Sequence, residues 1–438
     1  MGPFASGSLL LLGLLVLLAT GMPIAFALGL VSIVALILSG GFGVMEIIGE
    51  TFFGGLASFS LVAIPMFILM GSAVASSPAG RDLYEALDRW LNRVPGGLVL
   101  SNIGACSIFS ALSGSSPATC AAIGKMGIPA MVERGYPASI ATGSIAAGGT
   151  LGILIPPSVT MIVYGISTET SIGRLFLAGV LPGVMLTALF MIWTIISCRI
   201  AGYSFEAMAR RFTLREKLQA LPRVLPFLSI VVAILYVLYG GVATPSEAAG
   251  AGALFCIVLA VVIYRMWRPG PLVEIFRSTL RESVMIMMII GASELFAFAL
   301  SSLFVTQSIA MWIADLEVNR WVLLLFVNIF LLIAGFFLPP VAVILMTAPI
   351  LLPIIVQAGF DPYWFAVVLT INMEIGLITP PVGLNLYVIN GIAPDIPLQT
   401  ILKGALPYVL CMMLGIIILC FFPGIATWLP GRMMGVAL

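Results

Sequence analysis

The sequence contains no histidine and few charged residues. Its 438 residues include 19 Lys and Arg, 18 Asp and Glu and no His, so charged side chains make up 8% of the chain, against about a quarter in globular proteins. The absence of His removes the commonest metal ligand and general base. The formal net charge of +1 gives no reason to expect a nucleic acid partner. No Gly-rich phosphate loop follows a predicted strand, so we expect no nucleotide site.

Cysteine is scarce and never forms a short paired motif. Six cysteines lie singly in apolar runs, and no two of them form a CxxC motif. We interpret them as small buried hydrophobic side chains rather than redox or metal-binding groups. They are Cys106, Cys120, Cys198, Cys256, Cys411 and Cys420.

Long apolar runs dominate what remains. Hydrophobic residues make up 61% of the chain, and the mean hydropathy is +1.20. The runs are continuous over roughly 17 to 25 residues, which is the length of a transmembrane helix, and do not alternate over about ten residues as in a membrane barrel. The composition therefore predicts an all-α, polytopic integral membrane protein.

Two distant segments carry Gly and a Pro-Pro pair in the middle of such a run. They are residues 148–158 and residues 374–385. Proline lacks the amide hydrogen and clashes with the preceding turn, so both helices should be broken at membrane depth. A shift of 380 − 156 = 224 places Pro156 on Pro380 and Gly152 on Gly376. This internal repeat with interrupted helices indicates a binding site.

Other segments recur in the two halves. Apolar pairs at 5–20 and 22–40 match those at 224–240 and 245–264, and a helix at 58–77, preceded by an outer loop with Glu46 and Glu50, matches 282–302. Each half then has a short amphipathic arm along the membrane surface. We predict these arms at Arg81–Leu91 and Ser308–Leu316.

After each arm come two short apolar segments around a small, polar or Pro-rich centre. They span 97–131, centred on Leu112–Thr119, and 321–356, centred on Gly335–Val341. We favour re-entrant hairpins over ordinary helix pairs, since irregular backbone at this depth must line a cavity or pack within protein. Two broken helices follow the hairpins, a further helix connects the halves, and another closes the chain. Their predicted ranges are 138–166, 363–392, 174–200 and 404–422.

The basic residues predict an orientation. The positive-inside rule places two segments in the cytoplasm. These segments hold Arg210, Arg211, Arg215 and Lys217, and Arg268 and Arg277. The crossings then put Arg81 to Arg93 inside, and the loops of Glu46, Glu169 and Asp361 outside. The two repeats are therefore inverted, and both termini lie outside.

Each half of the chain contains a hairpin followed by a broken helix. These segments are 97–166 and 321–392. The remaining segments are scaffold helices and the first arm (1–96), the connecting helix with the second-repeat scaffold helices and second arm (167–320), and a C-terminal helix (393–438).

A hairpin tip that faces a broken helix brings together positive helix N-termini and the unpaired carbonyls of helix C-termini. Such a site can bind a carboxylate and a sodium ion together. In the first half, the candidate ligands are Ser113, Ser115, Ser116, Thr119 and Thr150. The alternative is that Ser and Gly only allow close helix packing.

In the second half, Thr379 and Asn385 are the polar side chains near the break. Thr379 could instead bond to its own helix, and Asn385 could join two helices. Glu374, Glu294 and Lys125 are ionisable residues in or near apolar runs, where function is the first hypothesis. Alternatively, Lys125 extends to the membrane surface and Glu294 faces a partner subunit.

Four motifs in order resemble the large membrane subunit of the tripartite ATP-independent periplasmic (TRAP) transporters, and are most similar to the dicarboxylate type. These motifs are Gly114–Thr119, Gly149–Ser158, Ala348–Pro353 and Asn372–Asn385. The resemblance runs from the first apolar helix to the Phe422-Pro423 region. One departure is Pro339, which stands where dicarboxylate-type relatives often have an acidic residue.

The resemblance implies an elevator-type secondary transporter with the ion-transporter-superfamily fold. This fold has two inverted repeats, two re-entrant hairpins and two broken transmembrane helices. It implies Na⁺ as the coupling ion, no organic cofactor, and a location in the bacterial inner membrane among membrane lipids. The implied substrate is a small organic acid like a C4-dicarboxylate. The implied partners are a periplasmic solute-binding protein and a small four-helix membrane subunit.

The resemblance also implies two sodium sites with the substrate between them. One sodium site would use Ser113, Ser115, Gly149 and Thr150, and the other Leu338, Gly376, Thr379 and Gly383. The substrate would contact Ser115, Ser116, Thr119, Thr379 and Asn385.

Two other functions remain open from the sequence. A stand-alone sodium/anion symporter of citrate or dicarboxylate type would have the same fold without partner proteins. An intramembrane enzyme is the more distant alternative, because the chain has no His-based dyad and no HExxH or GxSxG motif.

Overall fold

The computed structural model describes residues 2–92, 94, 96–200, 212–315 and 318–435. The regular secondary structure within these ranges is helical. Within these ranges, eight helices are long and apolar enough to cross a membrane. The number is nine if two bent helices, at 42–56 and 59–75, are counted as one span. The predicted all-α, multi-pass membrane protein is therefore confirmed. Four residues used in the predictions above, Arg93, Arg210, Arg211 and Leu316, lie outside the described ranges.

The first segment forms four apolar helices and an amphipathic arm. They are α1 (Pro3–Ala19), α2 (Ile24–Gly40), α3 (Met45–Leu56), α4 (Ala63–Ala75) and α5 (Ala79–Leu91). The predicted outer loop at Glu46 and Glu50 is wrong, because this segment is the helix α3. Its Phe52 packs against Gly291, so tertiary burial stabilises a helix here. Residues 42–56 and 59–75 meet at an angle of 55°.

Next come the first hairpin, the first broken helix and the connecting helix. They are α6 (Gly97–Ser113), α7 (Ser116–Glu133), α8 (Ala138–Leu154), α9 (Val159–Ser167) and α10 (Ile172–Ile200). Helix α8 is buried along most of its length, with α6, α7 and α19 packed around it.

The second-half scaffold begins with two helices that have matching N-terminal capping boxes, in which Thr213 pairs with Glu216 and Thr244 with Glu247. This part comprises α11 (Leu214–Tyr239), α12 (Pro245–Ile263), α13 (Pro269–Ser302) and the arm α14 (Val305–Asp315). Helix α13 begins well before the predicted residue 282, because Pro269 occupies its first turn and suits a helix start. Helix α12 packs along α4 of the first half.

The chain ends with the second hairpin, the second broken helix and two closing helices. They are α15 (Arg320–Phe337), α16 (Pro340–Gln357), α17 (Pro362–Leu377), α18 (Leu384–Ile392), α19 (Leu398–Phe421) and α20 (Gly424–Met434). Sequence reasoning missed α20. Asp361 caps α17 by accepting hydrogen bonds from Tyr363 N at 2.8 Å and Trp364 N at 2.9 Å.

Candidate transport site

The first predicted helix break is confirmed. Helix α8 ends at Leu154, and α9 begins at Val159. Ser158 caps the second piece, since its hydroxyl accepts a hydrogen bond from Met161 N at 3.2 Å. Pro156-Pro157, the pair between the two pieces, is joined by a cis peptide bond, as is Pro380-Pro381.

The second predicted break is also confirmed. Helix α17 ends at Leu377, and α18 begins at Leu384 after Gly383, which has a φ of +53°. Glycine adopts this left-handed conformation without steric cost. The Thr379 hydroxyl donates to Ile375 O at 2.6 Å, so in this conformation the side chain bonds to its own helix.

The first hairpin tip is a tight turn at Gly114 and Ser115 between α6 and α7. Gly114 has a φ of +59°, and Ser115 is extended. Ser113 Oγ lies 2.8 Å from Thr119 Oγ1, which also donates to Ser115 O at 2.9 Å. These bonds fix the turn. Ser113 and Thr119 are buried, whereas Ser115 is half-buried.

The first break packs directly on the first tip. A Cβ at Gly152 would lie 2.8 Å from the carbonyl carbon of Ser115 and 2.9 Å from Ser116 N. A Cβ at Gly149 would contact Cys120 Sγ and lie 3.2 Å from Ser116 O. Glycine is therefore required for this approach. The neighbouring Thr150 donates to Ala147 O at 2.6 Å within its own helix.

The second tip meets the second break in the same way. Leu338 and Pro339 form the turn between α15 and α16, and Val382 N donates to Phe336 O at 3.3 Å. A Cβ at Gly376 would collide with the backbone of Gly335. Gly376 thus has the same role here as Gly152 has in the first half.

A hydrogen bond at the first tip joins the two halves. Ser116 Oγ donates to Glu374 Oε1 at 2.6 Å, which links the first tip to the second broken helix. Both side chains are buried. Asn385 is also buried, and within the described residues neither its Oδ1 nor its Nδ2 has a hydrogen-bond partner.

Both tips line one cavity of about 240 Å³. Ser113, Ser115 and Ser116 reach it from the first tip, and Pro339 and Pro340 from the second. Thr119, Thr150, Thr379 and Asn385 are not among its lining residues, and neither are Gly149, Leu338, Gly376 and Gly383. Those eight positions lie outside the lining of this cavity.

Helices α4 and α13 form the opposite wall of the cavity, and the sequence did not predict this wall. It presents the serines Ser72, Ser76 and Ser278 and the carboxylate Glu282, which is the one charged residue in the lining. An ionisable side chain inside a predicted helix is a signal that could have found Glu282. Of the other ionisable candidates, Lys125 is exposed, and Glu294 lies against Gly55.

Hydroxyl oxygens and main-chain carbonyls are the groups at the tips that could coordinate a cation. In the described part of the chain, no three Cys, Asp or Glu side chains are grouped to hold a metal. A cation beside the tips would therefore be coordinated mainly by main-chain carbonyls and hydroxyls, with a carboxylate nearby. The N-terminus of α7 supplies partial positive charge for an anion.

Comparisons with known proteins agree with this architecture. The family model "Tripartite ATP-independent periplasmic transporter, DctM component" matches residues 11–425. The C4-dicarboxylate TRAP transporter large permease protein DctM of Pseudomonas aeruginosa is 41% identical over 372 residues, which is 85% of this chain and 86% of that protein. The protein of the same name from Vibrio cholerae is 35% identical over 448 residues, covering 98% and 97%.

A solved structure supports the fold. The YdaH transporter of Alcanivorax borkumensis aligns with a TM-score of 0.65 and 17% identity, covering 90% of this chain and 91% of that one. The resemblance that the motifs carry is confirmed by the family match, which spans nearly the whole chain. This protein therefore belongs to the DctM family of tripartite ATP-independent periplasmic transporters, whose members are large permease subunits and not enzymes.

Proposed function

We propose that this subunit imports a small organic acid of the C4-dicarboxylate class, driven by a sodium gradient, across the bacterial inner membrane. The observation that carries the proposal is the cavity that the two hairpin tips share. Each tip packs on a helix break, so main-chain dipoles of four helix ends converge beside one small space. The substrate class rests on the two relatives named above.

Sodium would bind at each tip. At the first, the oxygens would come from Ser113, Ser115, Gly149 and Thr150. At the second, they would come from Leu338, Gly376, Thr379 and Gly383. The carboxylates of the substrate would lie between the two sites, near the N-terminus of α7. Thr379 and Thr150 would contribute mainly through their carbonyls, since their hydroxyls bond within their own helices.

We further propose an elevator mechanism with inverted repeats and re-entrant hairpins. The moving unit comprises residues 97–166 and 321–392, and the scaffold comprises 1–96, 167–320 and 393–438. Helices α4 and α13 form the scaffold wall of the cavity, so movement of the tips past this wall would change the side from which the substrate is accessible. The exposed apolar side chains of the outer helices would contact the surrounding lipid.

The proposed complex has two further proteins, a periplasmic solute-binding protein and a small four-helix membrane subunit. The binding protein would deliver the acid to the outer face, and the small subunit would extend the scaffold. A stand-alone sodium/anion symporter is the alternative. It requires uptake of free substrate by this chain alone.

The test is uptake of a labelled C4-dicarboxylate into proteoliposomes that contain this chain, the small subunit and the binding protein. We expect uptake only with an inward sodium gradient, and Ser115→Ala should reduce it strongly. The half-buried Ser115 lines the cavity. Ser144→Ala is the matched control, because its hydroxyl bonds to Ala141 O within α8. Uptake that is independent of sodium would refute the proposal, and uptake without the binding protein would favour the stand-alone symporter.

A further inference from the structure

The contact between Ser116 and Glu374 joins residues that are 258 positions apart in sequence. Ser116 is the first residue of α7, at the first hairpin tip, and Glu374 lies in the last turn of α17, just before the second break. The two residues therefore connect the two halves of the unit that binds the substrate. An inference about this contact rests on the proposed function, because it concerns the sodium dependence of uptake.

Both side chains of this contact are shielded from solvent. Ser116 is 0% exposed and Glu374 is 2% exposed. Within the described residues no ion pair involves Glu374, and its second oxygen, Oε2, has no hydrogen-bond partner. Besides Ser116, the backbone N–H of Ile153 interacts with this carboxyl group. Burial of a carboxyl group costs stability, so the hydroxyl of Ser116 and the Ile153 backbone are important compensation.

The position of Glu374 has an electrostatic reason. The N-terminus of α7 carries partial positive charge, and a carboxyl group beside it is favoured. Gly152 of α8 packs on the same turn, at Ser115 and Ser116. The first tip is therefore held from two sides, by a glycine of its own half and by an acidic residue of the other half.

We propose that Glu374 is a positioning residue, which orients the first hairpin tip for sodium binding through its hydrogen bond with Ser116. The Ser116 hydroxyl then bonds within the protein, so Ser113 and Ser115 are the serines of this tip that remain for a ligand. The oxygens at the first tip, including the Ser115 carbonyl, keep their geometry only while the second broken helix is in place. Sodium affinity at one tip thus depends on the other half of the repeat.

The experiment compares four variants in the complete reconstituted complex. They are Glu374→Ala, Glu374→Gln, Ser116→Ala and the double variant Ser116→Ala/Glu374→Ala. For each, initial uptake is measured against sodium at saturating substrate, and against substrate at saturating sodium. We expect Glu374→Ala and Ser116→Ala to raise the half-saturating sodium concentration about tenfold, which is the size of effect that loss of one buried hydrogen bond produces. The half-saturating substrate concentration should change much less.

The conservative variant separates positioning from other roles. Gln keeps an oxygen that accepts from Ser116, so Glu374→Gln should stay within about threefold of the wild type in sodium half-saturation. The double variant should be no worse than the more impaired single variant, since both remove the same bond. Glu274→Gln, at an exposed position of α13 outside the cavity lining, serves as the carboxyl control.

Several results would overturn the inference. These are an unchanged sodium half-saturation in Glu374→Ala, additive effects in the double variant, or a Gln variant as impaired as the Ala variant. A rise only in the substrate half-saturation of Ser116→Ala would return Ser116 to the role of substrate ligand. If wild-type uptake does not depend on sodium, the proposed function itself fails, which is a distinct outcome.

Discussion

Arg134 donates two hydrogen bonds to Asp88, from Nη1 to Oδ1 at 3.1 Å and from Nη2 to Oδ2 at 3.0 Å. The pair joins the end of the first hairpin to the arm helix α5. The hydrogen bond to Asp88 raises the pKa of Arg134, so this guanidinium stays charged. On the same arm, Asp82 accepts from Tyr264 Oη at 2.8 Å and lies 3.6 Å from Arg223. The arm therefore fixes the hairpin on one side and the second-half helices on the other.

We predict that Asp88→Asn destabilises the protein by about 1 to 2 kcal/mol. This free energy is that of a bidentate charged hydrogen bond. It is lowered because Arg134 is partly exposed to solvent. The measurement is the apparent melting temperature in detergent, which should fall. Glu85→Gln is the control, since Glu85 forms an exposed pair with Arg81 at 3.5 Å. Equal shifts for the two variants would contradict the prediction.

Gly152→Ala should prevent the first break from packing on the first tip. The new Cβ would lie under 3.0 Å from backbone atoms of Ser115 and Ser116, which cannot move as a flexible side chain can. We expect loss of most sodium-dependent uptake, measured at equal amounts of reconstituted protein. Gly250→Ala in α12 is the control, since nothing lies within 4 Å of its Cβ position, and alanine is favoured over glycine in a helix by about 1 kcal/mol. Normal uptake by Gly152→Ala would count against this close approach.

Asn385→Leu should raise stability and lower transport together. Both polar atoms of this side chain are buried without partners in the described residues, and each such atom costs about 1 to 3 kcal/mol. Leucine removes the cost, so the melting temperature should rise while the half-saturating substrate concentration increases. Asn390→Leu is the control, because Asn390 Nδ2 donates to Ile396 O at 3.1 Å and its loss should destabilise. A more stable Asn385→Leu variant with unchanged uptake would show that Asn385 has no role in binding.

Glu282→Gln should lower the half-saturating concentration of a dicarboxylate by about two- to fivefold. The carboxylate of Glu282 lines the cavity and repels a dianion, with an energy of about 1 kcal/mol at the separations and screening of a hydrated site. Uptake kinetics at fixed sodium measure the change. Glu274→Gln is the control, because Glu274 is exposed on the same helix and pairs with Arg277 at 3.9 Å. A higher half-saturating concentration in Glu282→Gln would mean that this carboxylate helps to bind the substrate.

The local features of the site could be predicted from the sequence because their causes are local. A Pro-Pro pair beside glycine removes two amide donors at one point, so both breaks at Pro156-Pro157 and Pro380-Pro381 followed from residue type. Single prolines, such as Pro182 and Pro407, lie inside continuous helices. Small polar residues marked the first tip, and amphipathic spacing marked the arm α5. The choice of ligands within the site is not tested by the fold and stays a prediction.

The remaining features depend on contacts between distant segments. The pairing of Ser116 with Glu374 leaves no signal in either local sequence, although each residue could be singled out alone. Helix α3 forms where the charged residues Glu46 and Glu50 suggested a loop, because Phe52 packs against Gly291 of α13. Glu282 lines the cavity because α13 packs beside the two hairpin tips, which are distant from it in sequence.

The volume of the cavity sets a size limit. About 240 Å³ is smaller than the roughly 300 to 1,000 Å³ of sites that hold drug-sized molecules. A four-carbon acid fits within this volume. A bulkier acid would have to separate the hairpin tips from the wall of α4 and α13, so selection by size would operate before any charged group of the solute is recognised.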